Sequence, residues 1–273
     1  MANGTRPTFG GLRVPIAVCL ALAVLGPAAG AIGASAVSCV SAALSRRTNA
    51  SVAVLPSALA PSGPRWRQVG VSVQGRRILE ASFGEGERRV LLIGGIHGSE
   101  FGSDVAEKFA AWLRANPAAV PTGTRVDIVA CANPDGRSAG KKGNAHGVNL
   151  NGNFPTRNWR KQQYLTTTAG PRPGSEPETQ AIMRLLKTGY VRVVSLHSKG
   201  GFIDYDGPNG RVLASRVASA SGLPVKKLGP PSLYAGSLGT YVPERFGIPV
   251  LTLELTSRRM TPAVLAGLLA SVR

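Results

Sequence analysis

Residues 90–100 read VLLIGGIHGSE: four large apolar side chains, two glycines and an isoleucine, then His97 with Glu100 three positions later. An uninterrupted apolar run of this length, closed by glycine, is the pattern of a strand buried on both faces of a sheet. The next segment reads as a helix. Val105, Phe109, Trp112 and Leu113 fall at i, i+4, i+7 and i+8, one stripe of a 3.6-residue period, and Asn116-Pro117 stops it. His97 and Glu100 stand at the junction of the two. A Glu near a helix start is favoured by the helix dipole, and a His beside it is commonly a polar loop residue. These eleven residues alone leave a structural and a metal-binding reading open.

Working outward, QVGVSVQG and RILEASFG predict two short strands that turn near Gly75 and Arg76. RVDIVACANP predicts a further strand with Cys131 buried in it, followed by a long Gly/Asn-rich loop through Gly174. Ser175-Glu-Pro-Glu178 has the capping-box pattern and predicts a helix to about Lys187. VRVVSLHS is a predicted strand, NGRVLASRVASASG and SLGTYVPERFG predicted helices, and PVLTLELT a strand. Thr261-Pro262 opens a last apolar helix. Strands alternating with helices predict an α/β three-layer sandwich with a mixed, largely parallel central sheet, over residues 68–273.

The 273 residues, 43% hydrophobic, suffice for one sizeable core. Lys and Arg number 32 against 14 Asp and Glu, a net charge of +18. Such a charge suits an anionic cell-wall polymer or membrane surface. No aromatic-interleaved basic stripe accompanies it, so nucleic acid is not expected as a partner. Residues 14–44 carry no charged side chain and follow Arg6 and Arg13; Val14–Leu25 is an apolar stretch, and GPAAGAIGASA after it is rich in small residues. Residues 1–44 therefore read as an export signal or an N-terminal membrane anchor, or as a lipid-attachment leader ending at Cys39. Each reading places the main domain outside the cytoplasm. Residues 45–67, mixing Pro, Ser, Ala and Arg without period, read as a linker. Cys19, Cys39 and Cys131 have no metal-ligand spacing, and no disulfide framework is expected.

Ligand sites in open α/β sheets lie beyond the carboxyl ends of the strands. Three predicted strands deliver polar side chains there: His97-Gly-Ser-Glu100, Ser195-Leu-His197, and Glu254 within VLTLELT. Two His and one carboxylate form the open zinc set that leaves a fourth position for water. Glu254 is flanked by Val250, Leu251, Leu253 and Leu255, and a carboxylate buried there unpaired costs several kcal/mol. It is either a solvent-facing residue of an edge strand or a general base for water.

Taken in order, His97/Glu100, NPDG at 133–136, GVNLNGNFP at 147–155, His197 and Glu254 resemble the motifs of the zinc carboxypeptidase superfamily. SEPET at 175–179, DYDGP at 204–208, GSLG at 236–239 and TLEL at 252–255 look like its murein peptide amidase branch, which cleaves the γ-D-glutamyl–diaminopimelate bond of wall peptides. The resemblance covers about residues 68–273. It implies a zinc carboxypeptidase-like fold and one zinc ion per chain on His97, Glu100 and His197. It further implies that Glu254 activates water and passes the proton to the leaving amine, and that Asn151 binds substrate. The family's Arg after that Asn is Gly152 here, and its oxyanion-side Arg aligns with Lys142, which keeps charge but loses the bidentate fork. Arg137, Arg157 or Arg160 would supply the missing guanidinium. Tyr234 and Tyr241 lie near the family's substrate-capping tyrosine, where packing is the commoner role. Asp204 and Asp206 either meet a substrate ammonium or form an Asp-Gly-Pro turn. His146 is expected to face solvent, and Glu176 and Glu178 to cap their helix.

The resulting expectation is an exported, monomeric zinc metallopeptidase acting on wall peptides. Two rivals stand beside it. A zinc deacylase of the succinylglutamate or acylaspartate kind shares the ligand set, although SEPET, DYDGP and the leader argue against it. A non-catalytic wall-peptide binding protein is motivated by Gly152 and Lys142.

Overall fold

The computed structural model describes residues 65–229 and 234–273. The leader and most of the linker read from the sequence lie outside the described residues. Seven strands form one sheet: β1 Trp66–Val71, β2 Arg77–Phe83, β3 Arg88–Gly94, β4 Thr124–Val129, β5 Arg192–Ser198, β6 Phe202–Asp206 and β7 Val250–Leu255. Their order is β1-β2-β4-β3-β5-β7-β6. The four middle strands run parallel, and β2 and β6 join them antiparallel on either side. The first described strand, β1, begins at Trp66.

The apolar run at 90–93 is explained by this placement. β3 lies between β4 and β5, and Val90, Leu91, Leu92 and Ile93 are each fully buried. Alternate residues face opposite sides. Val90 and Leu92 join a core with helices α1 (Gly102–Ala115), α4 (Gly210–Ser221) and α6 (Pro262–Val272). Leu91 and Ile93 join a second core with α3 (Pro177–Leu186) and α5 (Leu238–Phe246). Three layers result.

Three local expectations are corrected. The stretch after β4 is not loop throughout: NPDG starts the short helix α2 (Pro134–Ala139), with Asn133 Oδ1 accepting from Gly136 N at 2.9 Å and proline at the first helical position. The 175–178 capping box does not form. Glu176 is the cap residue of α3 without a side-chain cap bond, because its carboxylate and that of Glu178 turn away to hold the 141–149 loop. Cys131 lies past the end of β4 in a partly exposed position rather than in the strand, and burial pushes its thiol up.

The first turn of α1 packs directly on β5 beside the second histidine. A Cβ on Gly102 would lie 2.2 Å from the Leu196 carbonyl oxygen. Gly102→Ala is expected to cost roughly 1–3 kcal/mol of stability by overpacking. It would also push the His197 backbone away from Glu100. Denaturant melts of the two forms check this, and equal midpoints would refute it.

Candidate active site

His97 and Glu100 sit just beyond the end of β3, His197 is the penultimate residue of β5, and Glu254 the penultimate residue of β7. In the parallel register of β5 and β7, His197 is the partner of Glu254; in the antiparallel register of β7 and β6, Thr252 is the partner of Asp204 and Val250 of Asp206. Period-2 alternation then directs His197, Thr252, Glu254, Asp204 and Asp206 to one face, the face that α5 partly covers. They line a cleft of about 420 Å³ together with His97, Glu100, Lys142, Asn149, Asn151, Tyr164, Lys227, Tyr234 and Thr240. β7 is flanked by β5 and β6, so Glu254 is not on an edge strand.

His97 and His197 are buried. His97 Nε2 lies 3.0 Å from Asn149 Oδ1, an oxygen that can only accept, so Nε2 carries the proton of the neutral ring and Nδ1 bears the lone pair. That Nδ1 faces Glu100 Oε1 at 2.7 Å and His197 Nδ1 at 3.3 Å, while His197 Nδ1 lies 3.1 Å from Glu100 Oε2. Lone pairs converging in this way repel one another unless a cation lies among them. The 3.3 Å nitrogen separation matches the edge of a tetrahedron, which is about 3.3 Å for zinc–nitrogen bonds of about 2.0–2.1 Å. His97, Glu100 and His197 are the one group of three such donors within 4.8 Å among the described residues. The donor set fits zinc.

Electrostatics agree. Burial pushes His97 down, towards the neutral form that binds metal. Ser198 N donates to Glu100 Oε2 at 3.0 Å, a hydrogen bond that favours the ionised carboxylate. Glu254 is raised by burial and by Glu100, against the lowering pull of His197 and Lys142. A carboxyl displaced upwards beside a metal set is suited to taking and returning a proton.

The other predicted residues separate clearly. Lys142 is pinned through its carbonyl, which accepts from Gly98 N at 3.2 Å, and its side chain reaches the cleft. Asn151 Oδ1 accepts from Leu238 N at 2.9 Å, which leaves its amide N–H groups for the cleft. Tyr234 lines the cleft; Tyr241 is buried and stacks on Phe154 at 5.4 Å, a packing role. Asp204 and Asp206 line the cleft, with Lys227 Nζ donating to Asp206 at 2.7 Å and to Asp204 at 3.3 Å. Arg137 is a correction. It does not reach the cleft, because Glu107 (2.5 Å) and Asp104 (2.8 Å) on α1 hold its guanidinium beside a separate groove with Trp66 and Cys131. Arg157 is also absent from the cleft lining. Glu176 and Glu178 both accept from the buried Asn144 amide (2.7 and 3.0 Å), and the half-exposed His146 lies 2.8 Å from Glu176. Asn149, Tyr164 and Lys227 are cleft residues that the sequence reading missed. Asn149 was discoverable from its place in GVNLNGNFP, whereas Lys227 and Tyr164 carry no local signal.

Residues 57–211 match the family model described as zinc carboxypeptidase. Murein peptide amidase A of Escherichia coli K12 is 35% identical over 148 residues, 50% of this chain and 58% of that protein; the aligned region thus spans little more than half of the relative's length. Murein peptide amidase A of Vibrio campbellii is 30% identical over 184 residues, 63% of this chain and 71% of that protein. The crystal structure of the murein-tripeptide amidase of Escherichia coli O157 superimposes with a TM-score of 0.63 at 28% identity, covering 76% of this chain and 92% of that one. Thrombin-activatable fibrinolysis inhibitor superimposes with a TM-score of 0.65 at 16% identity, a likeness of fold.

Proposed function

The chain belongs to the zinc carboxypeptidase family, and from that premise we propose that it hydrolyses an amide bond of peptidoglycan-derived peptides, of the γ-D-glutamyl–diaminopimelate type. The observation that carries the reading is Glu254, held in register with His197 and facing the cleft beside the three metal donors while being none of them. The murein peptide amidases among its relatives support the substrate class.

A zinc ion on His97, Glu100 and His197 would supply Lewis acidity to the scissile carbonyl and to water. Glu254 accepts the proton of the attacking water and returns it to the leaving amine nitrogen. Lys142 faces the carbonyl oxygen and stabilises its developing negative charge, as a point charge rather than a fork. The free amide N–H groups of Asn151 orient the substrate. Asp204 and Asp206, two carboxylates balanced by the one ammonium of Lys227, leave a net negative corner that suits a protonated amino group on the substrate. Burial raises Asp206, with Lys227 opposing.

Export, and retention at an anionic wall polymer or membrane surface through the +18 charge, belong to the same proposal. Such retention weakens as salt rises. Metal analysis combined with mass spectrometry of products from defined wall peptides tests the function. One zinc per chain and release of a diaminopimelate-containing fragment are expected. A zinc-loaded protein that leaves wall peptides intact but deacylates succinylglutamate or acylaspartate would replace this reading with the deacylase. Binding of wall peptides without cleavage would replace it with a binding protein.

A further inference from the structure

The cleft has a neutral side that no motif announces. A Cβ at Gly152 would lie 2.4 Å from Tyr164 Oη and 3.2 Å from its Cζ. The absence of a side chain at 152 is what admits the phenol, which lines the cleft with Asn151. The loop carrying it is tied down: Tyr164 N donates to Thr167 O (2.7 Å), Ala169 N to Gln162 O (3.0 Å), and Trp159 Nε1 to Gly152 O (3.1 Å). Arg160 Nε donates to Gln162 Oε1 at 3.2 Å, and Gln162 Nε2 donates to Tyr164 Oη. Arg160 is thus linked to the cleft through Gln162 and the phenol.

Direction follows from chemistry. A phenol oxygen that accepts from Gln162 must aim its own O–H elsewhere. No acceptor among the described residues takes that proton, and the cleft is the open side. A chain of donors ending on a guanidinium polarises the last O–H and strengthens it as a donor. Burial raises Tyr164, so the phenol keeps its proton. Among the described residues, the lysines and arginines that line the cleft are Lys142 and Lys227. Lys227 is bound by Asp204, Asp206 and the Tyr205 carbonyl, and Lys142 acts electrostatically on His97 and Glu254 beside the metal set.

We propose that Tyr164, oriented by Gln162 and Arg160, is the substrate-positioning donor beside Gly152, and that the cleft consequently accepts a carboxamide there nearly as well as a carboxylate. A guanidinium would demand a negative charge at that point. A phenol O–H donates to either oxygen. The preferred substrates then include wall peptides whose leaving residue has its α-carboxyl amidated or extended by further residues. This inference rests on the amidase reading above.

The test uses γ-D-glutamyl–diaminopimelate peptides with the leaving residue's α-carboxyl free or as the carboxamide. Wild type is expected to cleave both with kcat/KM values within about fivefold of each other, a difference of roughly 1 kcal/mol. Tyr164→Phe should raise KM about tenfold on both, with kcat much less affected. Gln162→Glu is the discriminating variant. Its carboxylate accepts from Arg160 and from the phenol alike, turning the O–H away from the cleft. It should match the KM rise of Tyr164→Phe, without adding to it in the double variant. An ordinary packing role for the ring would not respond to Gln162→Glu. A wild-type preference for the free carboxylate of about a hundredfold or more, or a KM within about twofold of wild type in Tyr164→Phe, overturns the inference alone. Cleavage of neither peptide by the zinc-loaded wild type overturns the amidase reading and the inference with it.

Discussion

Glu254→Gln leaves one zinc per chain in place and lowers kcat on wall peptides by about 10³-fold. The substitution keeps the shape of the side chain and removes only its capacity to hold a proton. Its Cα stays paired with His197 across the parallel register and with Phe202 across the antiparallel one, so the strand should not move. Burial already disfavours the charged carboxylate, and the neutral amide meets no new desolvation cost. Stability is therefore expected to hold or rise slightly. Metal content by mass spectrometry and steady-state kinetics check both halves. A variant with zinc bound and kcat within about tenfold of wild type would remove Glu254 as the base.

His197→Ala is expected to act at the opposite end of the same chemistry. It removes one of three donors and leaves His97 Nδ1 facing Glu100 without its third partner. Zinc is then lost at concentrations that saturate wild type, and turnover goes with it. Because an ion bound at about 1,000 times its Kd stabilises the native form by roughly 4 kcal/mol, chelation should lower the melting temperature of wild type and leave that of His197→Ala unchanged. Re-addition of zinc should restore wild type only. A wild-type melting temperature insensitive to chelator and to zinc would count against a metal at this site.

The strand and helix pattern around 90–113 was legible because both signals are local: four consecutive buried residues and a 3.6-residue stripe. His97, Glu100, His197 and Glu254 were legible for a related reason. A parallel sheet places the carboxyl ends of its middle strands together, so strand ends carry positional meaning without coordinates. The misread features share the opposite property. Arg137 lies in the right stretch of sequence, but it is drawn to Asp104 and Glu107 on a helix that precedes it by some thirty positions. Glu176 and Glu178 fit a capping pattern, yet the buried Asn144 amide outcompetes the helix end for their oxygens. Charge pairing across long sequence separations leaves no trace in a window of ten residues.

Gly152 shows the division most plainly. The sequence by itself determined the α/β class, the buried strand at 90–93, the pair of histidines at strand ends and the absence of a side chain at 152. Each depends on hydropathy, periodicity or residue identity along a short stretch of chain. Only the tertiary structure decided that Glu254 stands inside the sheet, that Lys227 lies between Asp204 and Asp206, and that Tyr164 fills the space Gly152 leaves. Those outcomes depend on registers between strands and on which loop closes over which, and such contacts are set by packing between segments that the chain keeps far apart.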